Sequence, residues 1–211
     1  MDLQALIDAI RLGKRADAVK LTKDAIAAGA DARTMLDAMI AAMDDVGKRF
    51  QCNEIFVPEM LMAAQAMKQS MALLEPLLVK AGIKPEITAV IGTVQGDRHD
   101  IGKNLVSVMW KGANFGVVDL GTDVAPGKFV DAVKKHNAQV VGVSALLTST
   151  LAAMKATVAA LRAADIPHLK IVVGGAPVTV EYAREIGADG YSRDAAGAVD
   201  VVRGLLGPGP I

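Results

Sequence analysis

The sequence holds one cysteine, three histidines and few aromatic residues, and each shortage removes a class of protein. With Cys52 alone, no intrachain disulfide can form, and a reducing compartment is the expected setting. Lysine plus arginine number 23 and aspartate plus glutamate also 23, so the formal charge is zero. That balance leaves no basic stripe for a phosphate backbone, and an aromatic content of 3% gives few platforms for stacked bases. No nucleic-acid partner is expected. A long hydrophobic run is missing too. The longest uncharged stretch, Asn137–Met154, is interrupted by Gln139, Ser144, Thr148, Ser149 and Thr150. It reads as a strand, a polar loop and a helix start, and no membrane association is expected. The opening Met1-Asp2-Leu3-Gln4 lacks the basic region and apolar core of a secretory signal, so the expected location is cytoplasmic.

What is abundant is alanine, valine, leucine and methionine, arranged in two rhythms. Residues 1–82 carry apolar side chains at spacings of three and four, which predicts helices over Leu3–Leu12, Ala16–Ala28, Ala32–Phe50 and Pro58–Lys80. Asp31 suits the cap of the third and Pro58 the first turn of the fourth, while Pro76 is expected to kink that helix or end it early. Four helices with short connections make a four-helix bundle. Gly82-Ile83-Lys84-Pro85 reads as a linker. In residues 86–207 strands alternate with helices. The strands are predicted at Ile87–Val94, Phe115–Leu120, Val140–Ser144, Lys170–Val173 and Asp189–Tyr191. Helices are predicted over Lys103–Gly112, Pro126–His136, Thr150–Ala164, Val178–Ile186 and Ala195–Leu206. The expected fold is therefore α + α/β, the second part a flavodoxin-like, doubly wound, five-stranded parallel sheet. The tail Gly207-Pro208-Gly209-Pro210-Ile211 is expected to fray.

One loop carries chemistry. Gly96-Asp97-Arg98-His99-Asp100-Ile101-Gly102-Lys103 follows the first predicted strand, at the carboxyl edge where open α/β sheets bind ligands. Asp97, two residues before His99, is placed to accept a hydrogen bond from one imidazole nitrogen and leave the other for a metal. Gly102 permits close backbone approach where the loop becomes helix. Small or hydroxylated residues follow three later strands: Ser144-Ala145-Leu146-Leu147-Thr148, Gly174-Gly175-Ala176-Pro177 and Tyr191-Ser192-Arg193-Asp194-Ala195. The other histidines have no carboxylate at this spacing: His136 sits at a predicted helix end and His168 in a loop. Gly92-Thr93-Val94-Gln95-Gly96 lacks the Lys-Ser/Thr ending of a phosphate loop.

In this order, DxHxxG, SxL and GG resemble the cobalamin-binding half of methionine synthase and of small corrinoid methyl carriers. The resemblance spans nearly the whole chain, because Phe56-Val57-Pro58, Ala66-Met67-Lys68-Gln69 and Leu74-Glu75-Pro76 match the methyl-cap bundle upstream. It implies a helical cap over residues 1–82 and a Rossmann-like cobalamin-binding domain over 86–207. The implied cofactor is cobalamin or a related cobamide, methylcobalamin in the loaded state. By the resemblance His99 ligates cobalt from the lower face, Asp97 holds its second nitrogen and Ser144 hydrogen-bonds Asp97. Arg98, Asp100 and Ile101 belong to the same binding loop. Gly102, Ser144, Leu146, Thr148, Gly174 and Gly175 would line the groove for the nucleotide tail, with Tyr191 and Ala195 at its edge or against the corrin. Phe56 and Met60 would belong to the cap over the methyl face.

The function implied is a methyl carrier, served by a substrate-specific methyltransferase, an acceptor methyltransferase and a reductive activator protein. One enzyme would load cobalt(I) from a small methylated donor; the other would deliver the group to tetrahydrofolate or a thiol coenzyme. Two alternatives share the motif: a cobalamin-dependent sensor, which usually adds a DNA-binding domain, and the corrin-binding subunit of a carbon-skeleton mutase.

Overall fold

The computed structural model describes residues 3–85 and 87–207, so Pro208–Ile211 of the tail expected to fray lie outside the described residues. The chain forms two compact units, Met1–Pro85 with Gly112–Asn114, and Glu86–Lys111 with Phe115–Ile211.

The first unit contains α1 (Gln4–Arg11), α2 (Arg15–Ala27), α3 (Ala32–Gln51) and α4 (Val57–Lys80). Asp31 caps α3: its Oδ2 accepts from the Thr34 N–H and from the Thr34 hydroxyl, both at 2.9 Å. At the start of α4, Glu59 reaches back to accept from the Phe56 N–H at 3.1 Å, and Pro58 occupies the first turn, where its missing N–H has no helical partner to lose. Pro76 does not end α4, which continues to Lys80. Leu74 and Leu78, on either side of it, are both buried, and their packing holds the helix through the missing hydrogen bond. Methionine supplies much of the buried side-chain volume here, through Met35, Met39, Met43, Met60 and Met67.

The second unit is built on β1 (Ile87–Thr93), β2 (Phe115–Asp119), β3 (Val140–Ser144), β4 (Lys170–Gly174) and β5 (Gly190–Ser192). All pairings are parallel and the order is β2-β1-β3-β4-β5, the flavodoxin-like arrangement that the sequence predicts. Helices α5 (Ile101–Gly112), α6 (Pro126–His136), α7 (Leu151–Ala163), α8 (Val180–Glu185) and α9 (Gly197–Leu206) alternate with the strands, and a 3-10 turn at Thr148–Thr150 leads into α7. Strand residues alternate between the two faces. Val141, Val143, Ile171 and Val173 pack with Phe129, Met154, Val158 and Leu161 in one core cluster. On the opposite face Trp110 lies so close over Gly142 that a Cβ there would stand 2.8 Å from the indole. The Trp110 Nε1–H donates to the Ala198 carbonyl at 3.2 Å, tying α5 to α9. No helix among the described residues is long and apolar enough to cross a membrane.

Candidate functional site

The sheet register aligns four strand ends in one row. Thr93 pairs with Ser144, Ser144 with Gly174, and Gly174 with Ser192. The loops singled out in the sequence leave from this row, so they share one rim. Strand order reverses between β1 and β3, the switch point where open α/β sheets leave a crevice. The His99 loop leaves β1 and the Leu146 loop leaves β3 on either side of that point. His136 and His168 lie on connections leading into strands, on the opposite rim.

Asp97 is fully buried, at 0% exposure, and its carboxylate is saturated with donors. Oδ1 accepts from the His99 N–H at 3.0 Å and lies 2.8 Å from His99 Nδ1. Oδ2 accepts from the Leu146 N–H at 2.7 Å, the Leu147 N–H at 3.3 Å and the Thr150 hydroxyl at 2.9 Å. Burial alone would raise the pKa of this group. The hydrogen bonds, led by the Leu146 N–H, outweigh burial and hold the carboxyl well below the usual carboxylate range. Asp97 is therefore a fixed anion. It favours the proton on Nδ1, which leaves the Nε2 lone pair outward on a side chain that is 51% exposed.

The hydroxyl on Asp97 belongs to Thr150, which corrects the expectation that Ser144 would supply it. Ser144 is the last residue of β3, and its side chain makes no hydrogen bond among the described residues. The 3-10 turn carries the chain round so that the Thr150 hydroxyl meets the carboxylate, with the Leu147 carbonyl oxygen 2.8 Å from the same oxygen as the alternative acceptor of its single proton. A second network, unread in the sequence, anchors the start of α5. Lys103 is buried and donates to Asp119 Oδ1 at 2.6 Å and to Asn104 Oδ1 at 2.7 Å. Asn104 in turn donates to Asp100 Oδ2 at 3.0 Å. The signal was available, since Lys103 closes the GDRHDIGK run, but a lysine near a helix start ordinarily reads as solvated.

Around His99 the rim is apolar and open. Ile101 is 76% exposed, and Leu146 and Leu147 also face solvent. Arg98, Asp100 and Thr148 are exposed beside them. Within α5, Gly102 has no heavy atom within 4 Å of where a Cβ would stand. Gly102 is the second residue of α5, and the open surface it leaves on the first turn has room for a ligand lying against the helix. Gly174 and Gly175 differ, because the backbone itself requires them. A Cβ on Gly175, at φ +127°, would lie 1.8 Å from the Ala145 carbonyl oxygen, and one on Gly174 3.0 Å from that of Ser192. Tyr191 packs against the core cluster and Ala195 is buried. In the helical unit, Phe56 precedes α4 and is 63% exposed, whereas Met60 is fully buried and belongs to packed interior.

A metal at Nε2 thus finds one imidazole, while Asp97 is engaged on both oxygens. Such a site would suit a metal that arrives with most of its donors supplied by a larger organic group, for which exposed Ile101, Leu146 and Leu147 and the open space at Gly102 would leave room. Comparison with known proteins agrees. The family described as B12 binding domain matches residues 87–200, and a second family of the same description matches residues 2–75. The dimethylamine corrinoid protein of Methanosarcina barkeri is 36% identical over 97% of both chains. The chain belongs to the corrinoid proteins. Among solved structures, a cobalamin-binding protein from Desulfitobacterium hafniense DCB-2 matches this corrinoid protein with a TM-score of 0.83 and 32% identity, covering 98% of this chain and 100% of that one. The methanol:cobalamin methyltransferase complex MtaBC of Methanosarcina barkeri contains a chain that matches at a TM-score of 0.86 and 29% identity, covering 98% and 80%.

Proposed function

We propose that this corrinoid protein is a methyl carrier between two methyltransferases in the cytoplasm, with His99 as the lower ligand of its cobalt. The observation that carries this reading is the Asp97–His99 pair, 2.8 Å apart, with the Nδ1 side held by a buried anion and the Nε2 side exposed on the rim. Relatives named for dimethylamine and trimethylamine, and a structural neighbour named as a methanol:cobalamin methyltransferase complex, support a small methylated donor. A substrate-specific methyltransferase loads the carrier, an acceptor methyltransferase unloads it to tetrahydrofolate or a thiol coenzyme, and a reductive activator protein restores it. Residues 86–207 hold the cofactor and residues 1–82 form the cap.

The bound cofactor supplies the cobalt centre that takes up and gives up the methyl group. The chain supplies position and a proton site. His99 presents Nε2 to the metal. With Nε2 off the metal, a proton held there would give an imidazolium that the Asp97 carboxylate, 2.8 Å from Nδ1, would stabilise. Asp97 itself stays anionic, because Leu146, Leu147 and Thr150 keep their donors on it. Ile101, Leu146 and Leu147 offer the apolar surface for the ring, and Gly102 the approach for the tail.

Electron paramagnetic resonance of the cobalt(II) form, in protein carrying nitrogen-15 histidine, tests the ligand assignment. Superhyperfine splitting should change with the label and vanish in His99→Ala. A spectrum indifferent to the label removes His99 from the metal.

A further inference from the structure

We infer that Thr93 is a positioning residue for His99: its side chain fixes the direction from which the imidazole meets cobalt. The inference rests on the ligand reading above and adds a residue that neither the motif nor the Asp97 network contains. Thr93 is the last residue of β1 and is fully buried. Its hydroxyl donates to the His99 carbonyl at 3.0 Å. Its backbone is committed on both sides as well, the N–H to the Gly121 carbonyl and the carbonyl to the Val124 N–H, each at 3.0 Å. Thr93 is thus fixed to the connection between β2 and α6 and hands that rigidity to the histidine.

At His99 the polar groups divide cleanly. The N–H and Nδ1 are held by Asp97, the carbonyl is held by Thr93, and Nε2 is left outward. Asp97 acts through one carboxylate oxygen on both of its contacts, which leaves the residue free to pivot about that oxygen. The Thr93 contact lies on the other side of the His99 Cα and removes the pivot. Packing does not explain the hydroxyl. Valine has nearly the same shape, suits a buried strand at least as well, and brings no polar group that must be satisfied. The run Gly92-Thr93-Val94-Gln95-Gly96 is not a phosphate loop; its threonine supports the neighbouring metal loop.

The test is potentiometry of the cobalt(II)/cobalt(I) couple in reconstituted full-length protein, comparing Thr93→Val, Thr93→Ser and wild type. Cobalt(I) prefers no axial ligand, so a weaker histidine bond to cobalt(II) makes reduction easier. Losing one net hydrogen bond shifts the ratio of bound to released histidine by at most about fivefold, the limit in which its worth is felt only with histidine on cobalt. At about 59 mV per tenfold for a one-electron couple, the Thr93→Val midpoint should move positive by up to about 40 mV. Thr93→Ser, which keeps the hydroxyl, should stay near the wild type, and corrinoid content should stay stoichiometric in both. An unmoved midpoint in folded, loaded Thr93→Val overturns the inference. Thr93→Ala covers the case in which valine does not fit; loss of fold or of corrinoid in both hydroxyl-free variants assigns Thr93 to the fold alone and overturns it too. Histidine-label coupling in the wild type beside an unmoved Thr93→Val sinks Thr93 only, whereas absent coupling in the wild type sinks the ligand reading and this inference with it.

Discussion

In the helical unit several polar contacts run along single helices, between residues one turn apart, as in Gln4 with Asp8, Lys20 with Asp24 and Arg33 with Asp37, and Arg11 on α1 reaches Asp45 on α3 at 3.8 Å. In the α/β unit they cross the chain and converge. Asp97 collects donors from Leu146, Leu147 and Thr150, 49 to 53 residues away, and Asp123 accepts from Gly96, 27 residues away. Surface pairs of the first kind add a few tenths of a kcal/mol each and specify little. Buried networks of the second kind specify one geometry and penalise every other. The two interiors differ in the same sense. The helical unit buries several methionines, whose flexible side chains tolerate reshaping, whereas the flank of the sheet is lined with stiff β-branched valines and isoleucines. One unit is adaptable; the other holds a loop in place.

The largest effect that could break this contrast is at Asp97. In Asp97→Asn the amide NH2 faces donors whichever way it turns, either the His99 N–H or those of Leu146, Leu147 and Thr150. The expected loss of stability at pH 7 is about 2–4 kcal/mol by denaturant unfolding. The carboxyl is depressed in the folded state, so its contribution is complete above the unfolded value of about 3.9 and is lost as pH falls below that. The gap between wild type and variant should therefore narrow on acidification below about pH 4. A gap that stays constant down to pH 3 would mean the hydrogen bonds do not stabilise the anion.

A smaller effect sharpens the contrast within the rim. Thr150→Val should cost about 1–2 kcal/mol, because it removes the hydroxyl from Asp97, and Ser144→Ala should stay within about 0.5 kcal/mol. Equal losses in thermal or denaturant unfolding would return Ser144 to the network. The smallest effect belongs to the other unit. Met60 is fully buried, yet Met60→Leu should cost less than about 1.5 kcal/mol, because an adaptable core repacks around a side chain of similar volume. A loss as large as that of Asp97→Asn would show that the helical unit is as tightly specified as the site.

The strand order, the helical half and the pairing of Asp97 with His99 were all legible in the sequence, because each follows from a periodicity or from a spacing of two residues. What was not legible depends on where a turn sends a side chain. Thr150 and Ser144 are both hydroxyl residues in one loop, and only the 3-10 turn decides which of them meets Asp97. The Lys103–Asp119 pair joins residues 16 apart on different elements, which no local pattern reports. Helix α5 begins at Ile101, two residues before its apolar rhythm suggests, because Asp100 already accepts from the Asn104 N–H at 2.7 Å. Pro76 failed as a breaker because buried leucines flank it. Phe56 precedes α4 and is exposed while Met60 lies buried on its inner face, a difference that their nearness along the chain does not report.

Trp110 is the only tryptophan of the chain, fully buried in the α/β unit. The molecule therefore carries an internal dye in one unit and none in the other. Its emission reports the melting of the α/β unit around it, whereas circular dichroism in the far ultraviolet reads both units. A corrinoid absorbs where an indole emits, so loading the protein should quench that same signal by energy transfer, giving a titration of occupancy without any label. Comparing the emission curve with the dichroism curve during unfolding then separates a chain that melts as one body from a chain that melts in two stages.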